Sequence, residues 1–253
     1  MTLVIYVSVA LGVGDLPEDV AKELERRGWE LGCLYTLANG MSPGELRRCC
    51  RVLVDQGIAA AKRGLNDAEL WQWYTRAVKR VKAAAPEADV KAVAPDVFGS
   101  LERTAERWEK WAPLIEKMGA TPLLVLQEPK RIAKWIKTKA YRDARAVAVP
   151  ARELGDVKCS RRPRLCAEVI ATVADVAEDK EWLHLLGAGL GVLGILAPLL
   201  GRNIHSFDTT AYRMAVSDEV RIRKTPDEPG LWMVTRGLER EFFIPWLRRL
   251  LQR

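Results

Sequence analysis

A chain of 253 residues that is 49% hydrophobic and 29% charged can build a sizeable core, which excludes a disordered or low-complexity protein. Its 40 Lys and Arg against 33 Asp and Glu give a net charge of +7, which favours polyanionic partners such as nucleic acid. The five cysteines are scattered, without a Cys-x-x-Cys pair, so we predict neither a zinc site nor another cofactor. Free thiols suit a reducing cytoplasm, and the scarcity of Asn and Gln hints at a thermophilic source.

Two apolar stretches imitate targeting or membrane segments. Residues 1–14 lack a basic lead-in and a cleavage site, so we predict a buried first strand and not a signal peptide. Residues 182–201 approach the length of about 20 apolar residues that spans a bilayer. They contain a histidine, a proline and several glycines, so a strand, a glycine loop and a short buried helix are expected instead. We expect no membrane partner.

Strand-like and helix-like stretches alternate along the chain. The predicted strands are, in order, TLVIYVSVAL, WELGCLYTL, RVLVDQG, VKAVAPDV, TPLLVLQ, ARAVAVPA, WLHLLGAG and NIHSFD. The predicted helices between and after them are LPEDVAKELERRG, SPGELRRCC, NDAELWQWYTRAVKRVKAAA, SLERTAERWEKWAPLIEKMG, PKRIAKWIKTKAY, RPRLCAEVIATVADVAED and LEREFFIPWLRRLLQR. Short apolar strands between amphipathic helices indicate a parallel sheet covered by helices. The number of units and the length favour an α/β fold, a single (β/α)8 barrel over residues 1–253. An open doubly wound sheet is the alternative.

Four of the predicted strands deliver a carboxylate or a carboxamide at their carboxyl end. These residues are Asp55, Asp96, Gln127 and Asp208. In a β/α barrel all such ends meet at one face, which holds the active site. One carboxylate can act as nucleophile and a second as acid/base, while a third acid with an amide can recognise the edge of a base. This set is typical of N-glycosidic chemistry on a nucleoside.

The ordered motifs of the chain resemble those of the tRNA-guanine transglycosylase superfamily. The motifs are VLVDQG, APDVFGSLERTAERW, LLVLQ, AVAVPARELG, HLLGAG and IHSFDTTAYRMA. The last is closer to the branch that inserts 7-deazaguanines into DNA. The resemblance implies a β/α barrel that exchanges guanine for a 7-deazaguanine base in DNA or tRNA. The target base must then leave the helical stack to reach the mouth of the barrel.

Roles for individual residues follow from this resemblance. It implies that Asp208 is the nucleophile of a covalent glycosyl-enzyme and that Asp55 is the acid/base. It assigns base binding to Asp96, Gln127, Gly57, Ala151 and Arg152. The chain departs from the family at Gln56, which replaces a serine, and at Pro150-Ala151, which replace a glycine pair. The family's zinc-binding cysteine cluster and its appended RNA-binding domain are missing from the sequence.

Residues 129–142 pack six Lys and Arg around two aromatic residues directly after Gln127. Basic residues interleaved with aromatic ones suit contacts to the nucleic-acid backbone and stacking on bases. The residues assigned to nucleic-acid binding are Lys130, Arg131, Lys134, Trp135, Lys137 and, beyond this segment, Arg213. The competing interpretation is an ordinary solvated helix with Trp135 buried.

Two other functions stay open at this stage. The stretch GLGVLG, residues 189–194, matches a dinucleotide-binding fingerprint in outline and would suit an NAD-dependent oxidoreductase. Alternatively, the barrel binds nucleic acid without catalysis. The histidines His184 and His205 are interpreted as packed strand residues.

Overall fold

Eight parallel strands close into a barrel in the computed structural model, which describes residues 2–8, 15–37, 41–56, 64–154, 163–209 and 243–252. The strands are β1 (Leu3–Val7), β2 (Trp29–Thr36), β3 (Arg51–Asp55), β4 (Asp89–Val93), β5 (Thr121–Val125), β6 (Ala146–Pro150), β7 (Trp182–Leu186) and β8 (Ser206–Asp208). Each strand pairs with the next, and β8 returns to β1 with Val4 opposite Ser206. This closure confirms the predicted barrel and excludes the open doubly wound sheet.

Helices connect the strands on the outside of the barrel. They are α1 (Glu18–Arg27), α2 (Pro43–Leu46), α3 (Asp67–Ala84), α4 (Leu101–Lys117), α5 (Ile132–Trp135), α6 (Lys139–Asp143), α7 (Pro163–Glu178) and α8 (Leu190–Ile195). Short 3-10 turns occupy Pro129–Arg131, Ala151–Leu154 and Ala197–Leu199, and residues 243–251 are helical. Capping side chains mark several helix starts. The Asn66 side chain accepts from the backbone amides of Ala68 and Glu69 at the beginning of α3.

The barrel interior is filled by the inward-facing residue of each pleat. Its apolar cluster contains Val4, Tyr6, Leu34, Leu53, Val93, Leu123, Val125, Ala146 and Ala148. Gly32 of β2 lies opposite Tyr6 of β1, and a Cβ at position 32 would stand 2.6 Å from the Tyr6 ring. The large tyrosine ring therefore fits inside the barrel because its neighbour has no side chain. The opposite faces of the strands pack against the helices in a second, larger cluster.

A charged network closes the amino-terminal end of the barrel. Arg51 pairs with Glu30 at 2.6 Å and with Asp89 at 3.1 Å, and Lys91 pairs with Asp89 at 2.5 Å. The Lys91 ammonium also lies 3.9 Å from the centroid of the Trp182 ring, and burial lowers its pKa. With this end occupied by paired side chains, the opposite end is the face on which a site can form.

The segment predicted as one basic helix is divided into shorter pieces, so that prediction is wrong. After the 3-10 turn at Pro129–Arg131 and the single turn of α5, the chain restarts at Thr138. That residue has extended backbone angles, and its hydroxyl accepts from the Tyr141 amide to cap α6. A helix cannot continue through a residue that adopts the extended N-cap conformation.

A disulfide joins Cys33 of β2 to Cys49, just before β3. The two residues are 16 positions apart in sequence, but pairing of neighbouring strands brings their Cα atoms to 5.9 Å. This corrects the expectation of free thiols at these positions. Cys50 remains an exposed free cysteine.

Residues 182–201 form β7, a glycine-containing loop and the short helix α8, as predicted. The helix is less buried than expected, because Leu193 is its one buried residue. No helix in the described part of the chain has the length and apolarity needed to cross a membrane.

Candidate active site at the carboxyl ends of the strands

Most of the residues predicted for the site lie where the parallel strands end. Asp55 and Asp208 are the last residues of β3 and β8. Asp96, Gln127 and Ala151 follow β4, β5 and β6. Gly57 and Arg213 fall outside the described residues, as do the side chains of Lys130 and Arg152.

Asp96 and Gln127 form a hydrogen-bonded pair at this face. The Gln127 amide donates to Asp96 Oδ2 at 2.5 Å, and the Gln56 amide donates to Asp96 Oδ1 at 3.4 Å. Burial raises the pKa of the Asp96 carboxyl, and the hydrogen bonds from the two glutamines partly oppose that rise. Gln56, the residue after β3, is thus a direct partner of Asp96.

Two further hydrogen bonds hold Gln127, one to its side chain and one to its backbone. Its Oε1 accepts from the Gly99 amide at 3.1 Å, and its backbone carbonyl accepts from the indole nitrogen of Trp135 at 2.7 Å. Trp135 is fully buried. The prediction that Trp135 stacks on nucleic acid is therefore wrong, because its ring faces the interior and its only polar atom is engaged with Gln127.

An exposed aromatic residue lies on the turn after Asp96. Phe98 is 81% exposed, and it precedes Gly99, whose φ of 67° lies in the left-handed region. The turn is fixed because the Thr104 hydroxyl accepts from the Val97 amide at 3.0 Å and the Ser100 amide donates to the Val97 carbonyl. Phe98 was not among the predicted site residues, although its place between Asp96 and a turn glycine was a usable signal.

Asp208 has its own set of partners on the β7 and β8 side of the barrel. Its Oδ1 accepts from the Gly187 amide at 2.8 Å and lies 3.0 Å from His184 Nε2. The other ring nitrogen of His184 lies 2.8 Å from the hydroxyl of Ser206. His184 is a buried strand residue, as interpreted from the sequence, but its contact with Asp208 was missed.

Asp55 lies on the same side of the barrel as Asp96. Burial raises the pKa of Tyr74 well above its usual range, and the charges of Asp55 and Asp96 raise it further. The Tyr74 hydroxyl donates to the Val93 carbonyl at the end of β4. Asp55 and Asp96 are therefore both close enough to influence one buried phenol. No direct hydrogen bond joins either of them to Asp208 among the described residues.

The basic segment after Gln127 offers fewer free charges than the sequence suggested. Arg131 is paired with Glu128 and lies 3.8 Å from Glu102. Lys134 and Lys137 are exposed. Among the described side chains, these two lysines are the part of the predicted nucleic-acid surface that stays available for phosphate contacts.

The described part of the chain contains no group of three or more His, Cys, Asp or Glu that could hold a metal ion. The predicted lack of zinc stays a prediction for the whole protein, to be checked by elemental analysis.

Comparison with known proteins gives distant similarities. No family model matches the chain. It is 26% identical over 205 residues to Elongation factor 3B of Saccharomyces cerevisiae, a match that covers 72% of this chain and 19% of that protein. Among solved structures, the YdjI aldolase from Escherichia coli K12 aligns with 99% of this chain and 88% of its own at 12% identity and a TM-score of 0.42. The aldolase QR15 aligns with 88% of this chain and 97% of its own at 10% identity and a TM-score of 0.34. None of these similarities identifies a reaction.

Proposed function

We propose that the protein exchanges guanine in a nucleic acid for a 7-deazaguanine base through a covalent intermediate on Asp208. The observation that supports this most is the contrast between two carboxyl groups at one end of the barrel. Asp208 Oδ1 takes both of its hydrogen bonds, and Oδ2 has no partner among the described residues. Asp96 is held by two amides and has a raised pKa. Such divergent settings are typical of carboxyl groups with different catalytic roles.

Asp96 and Gln127 are proposed to bind the base. A carboxylate accepts hydrogen bonds from ring N–H and amino groups, and both occur on the edge of guanine. The second N–H of the Gln127 amide has no partner among the described residues, so it can donate to a base acceptor. Phe98, exposed beside this pair, offers an aromatic face on which a base can stack.

Asp208 is proposed as the nucleophile. Its Oδ2 attacks C1′ of the target nucleotide, and the bond from C1′ to the guanine nitrogen breaks. Guanine leaves with that electron pair and takes a proton from Asp55. The incoming base then loses a proton to Asp55 and displaces the carboxylate from C1′, which restores Asp208 and forms the new glycosidic bond.

Two other barrel chemistries have less support. An aldolase that forms a Schiff base needs an accessible amine at the mouth, and Lys91, which is buried at the opposite end and paired with Asp89, does not supply one. A dinucleotide fingerprint needs an open βαβ unit, whereas Gly189 precedes a helix of six residues in a closed barrel.

The test is a base-exchange assay with labelled guanine and, in separate reactions, unmodified tRNA and duplex DNA. Transfer of label into one of the two nucleic acids supports the proposal and identifies the substrate. Binding of nucleic acid without any transfer, by protein shown to be folded, would instead favour a barrel that binds nucleic acid without catalysis.

A further inference from the structure

A continuous line of hydrogen-bonding groups crosses the interior of the barrel to Asp208. The indole nitrogen of Trp182 donates to the Ser206 hydroxyl at 2.9 Å. The same hydroxyl lies 2.8 Å from His184 Nδ1, and His184 Nε2 lies 3.0 Å from Asp208 Oδ1. Ser206 and His184 are fully buried, so bulk water does not reach their polar atoms.

The partners of Ser206 decide which ring nitrogen of His184 has the proton. The indole N–H is a donor only, so the Ser206 oxygen accepts from Trp182. Its hydroxyl proton then needs an acceptor, and His184 Nδ1 is the one within reach among the described residues. If Nδ1 accepts, a neutral imidazole has its proton on Nε2, which donates to Asp208.

The other two protonation states fit these contacts less well. A proton on Nδ1 alone would direct the lone pair of Nε2 at the Asp208 carboxylate, 3.0 Å away. An imidazolium would donate to both neighbours, but it would leave the buried Ser206 hydroxyl without an acceptor. Burying a polar group without a hydrogen-bond partner is unfavourable.

We propose that His184 is a positioning residue whose Nε2–H tautomer is set by Ser206 and that it fixes Asp208 for attack through Oδ2. Because His184 and the Gly187 amide both bind Oδ1, the carboxylate cannot rotate freely and Oδ2 stays directed away from them. The Tyr6 and His184 rings pack in a T-shaped arrangement, with centroids 5.8 Å apart, which limits the movement of the imidazole. The role in attack rests on the function proposed above, whereas the tautomer does not.

The contact between His184 and Asp208 Oδ1 also acts in the second half of the reaction, when the carboxylate leaves C1′. When Oδ2 bonds to C1′, the aspartyl group loses its charge and Oδ1 becomes the carbonyl oxygen of an ester. The hydrogen bonds from His184 and Gly187 then stabilise the carboxylate as it departs, since donors bind an anionic oxygen more strongly than a neutral one. A nucleophile held in this way serves both the attack and the release.

The tautomer can be measured without any substrate. The chain contains two histidines, so labelling with 15N-histidine gives two imidazole spin systems, and a His205→Asn variant assigns them. His205 Nδ1 accepts from the Leu183 amide, and its ring packs against Trp182 with centroids 5.1 Å apart. It does not contact Asp208, so its replacement controls for the loss of an imidazole beside the network that leaves the Asp208 contact in place. We expect the Nε2–H neutral form for His184 in the unmodified protein and a loss of that preference in Ser206→Ala. A neutral Nδ1–H form or an imidazolium at neutral pH would overturn the assignment.

The positioning role is tested by kinetics, once exchange or adduct formation has been observed with the unmodified protein. His184→Leu removes the donor, and we expect a fall in kcat of about 10²-fold, as for a misplaced reacting group, with little change in KM for the base. His184→Gln keeps an N–H donor and should recover part of the loss, while His205→Asn should behave like the unmodified protein.

Equal activity of His184→Leu and the unmodified protein, or a change confined to KM, would overturn the role. If His184→Leu does not fold, Ser206→Ala should show the same kcat effect in weaker form, and an unchanged kcat there would count against it. Failure of the unmodified protein to react would instead contradict the proposed function and leave the tautomer result standing.

Discussion

The amide of Gln127, which follows β5, donates a hydrogen bond to the carboxylate of Asp96, which follows β4. The buried Trp135 fixes the backbone of Gln127, and the Gly99 amide fixes its side-chain oxygen. The pair is thus oriented before any ligand arrives, which would lower the entropic cost of binding the proposed base. Asp208, with separate partners on β7 and its loop, is oriented independently of this pair.

The stability of Asp96→Asn relative to the unmodified protein is expected to increase with pH. Because burial raises the pKa of Asp96 above its ordinary value of 3.8, the folded protein holds the proton more tightly than the unfolded chain does. The resulting stabilisation is complete below that ordinary value and is lost as pH rises through the folded-state pKa. The neutral amide avoids this loss, so the variant should gain stability relative to the unmodified protein as pH increases. Denaturant unfolding at a series of pH values measures the difference.

Asp143→Asn is the matched control for that experiment, since Asp143 is exposed at the end of α6. It should follow the unmodified protein at every pH. A stability difference between Asp96→Asn and the unmodified protein that does not grow with pH would contradict the buried carboxyl account.

Lys134→Glu with Lys137→Glu is expected to weaken binding of nucleic acid. Both lysines are exposed on the segment after Gln127, residues 129–142. If each contacts one phosphate, the slope of log K against log salt concentration should become shallower by about two. Binding of a labelled duplex or tRNA over a series of salt concentrations gives this slope.

Lys79→Glu with Arg80→Glu changes the net charge by the same amount on a different surface. Both residues are exposed near the end of α3, which is the end of that helix farthest from the mouth. If the two double variants lose affinity equally, the effect is one of overall charge and the segment after Gln127 has no special role.

Removing the disulfide by Cys33→Ser with Cys49→Ser is expected to lower the free energy of unfolding by about 3 kcal/mol. A cross-link across 16 positions restricts the unfolded chain by about that amount. Guanidinium unfolding of this variant, compared with Cys50→Ser, measures the loss. A stability equal to that of Cys50→Ser would mean that the bond does not form in the purified protein, which mass spectrometry under non-reducing conditions would confirm.

The barrel and most strand ends were predictable because hydrophobic periodicity and parallel pairing are strong, repeated signals. The position of Asp208 at the end of β8 follows directly from such a pattern. The contact between His184 and Ser206 was less accessible, because it depends on the register of β7 against β8, in which those two residues are opposite each other. Register is set by the closed sheet as a whole and has no local signature.

Local sequence also gave the wrong orientation for Trp135. An aromatic residue among lysines is compatible with stacking on a base or with burial, and composition alone does not choose between them. In the folded protein the indole is buried, and its N–H donates to the Gln127 carbonyl, which satisfies both groups. The disulfide was missed for a similar reason, since Cys33 and Cys49 become neighbours only through the pairing of β2 with β3, which Cys49 precedes by two residues in the chain.

Covalent capture on Asp208 is the most direct test of the proposed reaction. The unmodified protein, Asp208→Asn and Asp143→Asn are each incubated with the nucleic acid that supports exchange, denatured, and separated by gel electrophoresis, and any adduct is located by peptide mass spectrometry. An amide of nearly equal size is a poor nucleophile, so we expect an adduct on Asp208 in the unmodified protein and Asp143→Asn, and none in Asp208→Asn. An adduct of equal yield in Asp208→Asn, or full exchange activity in that variant, would contradict the assignment of Asp208 as the nucleophile.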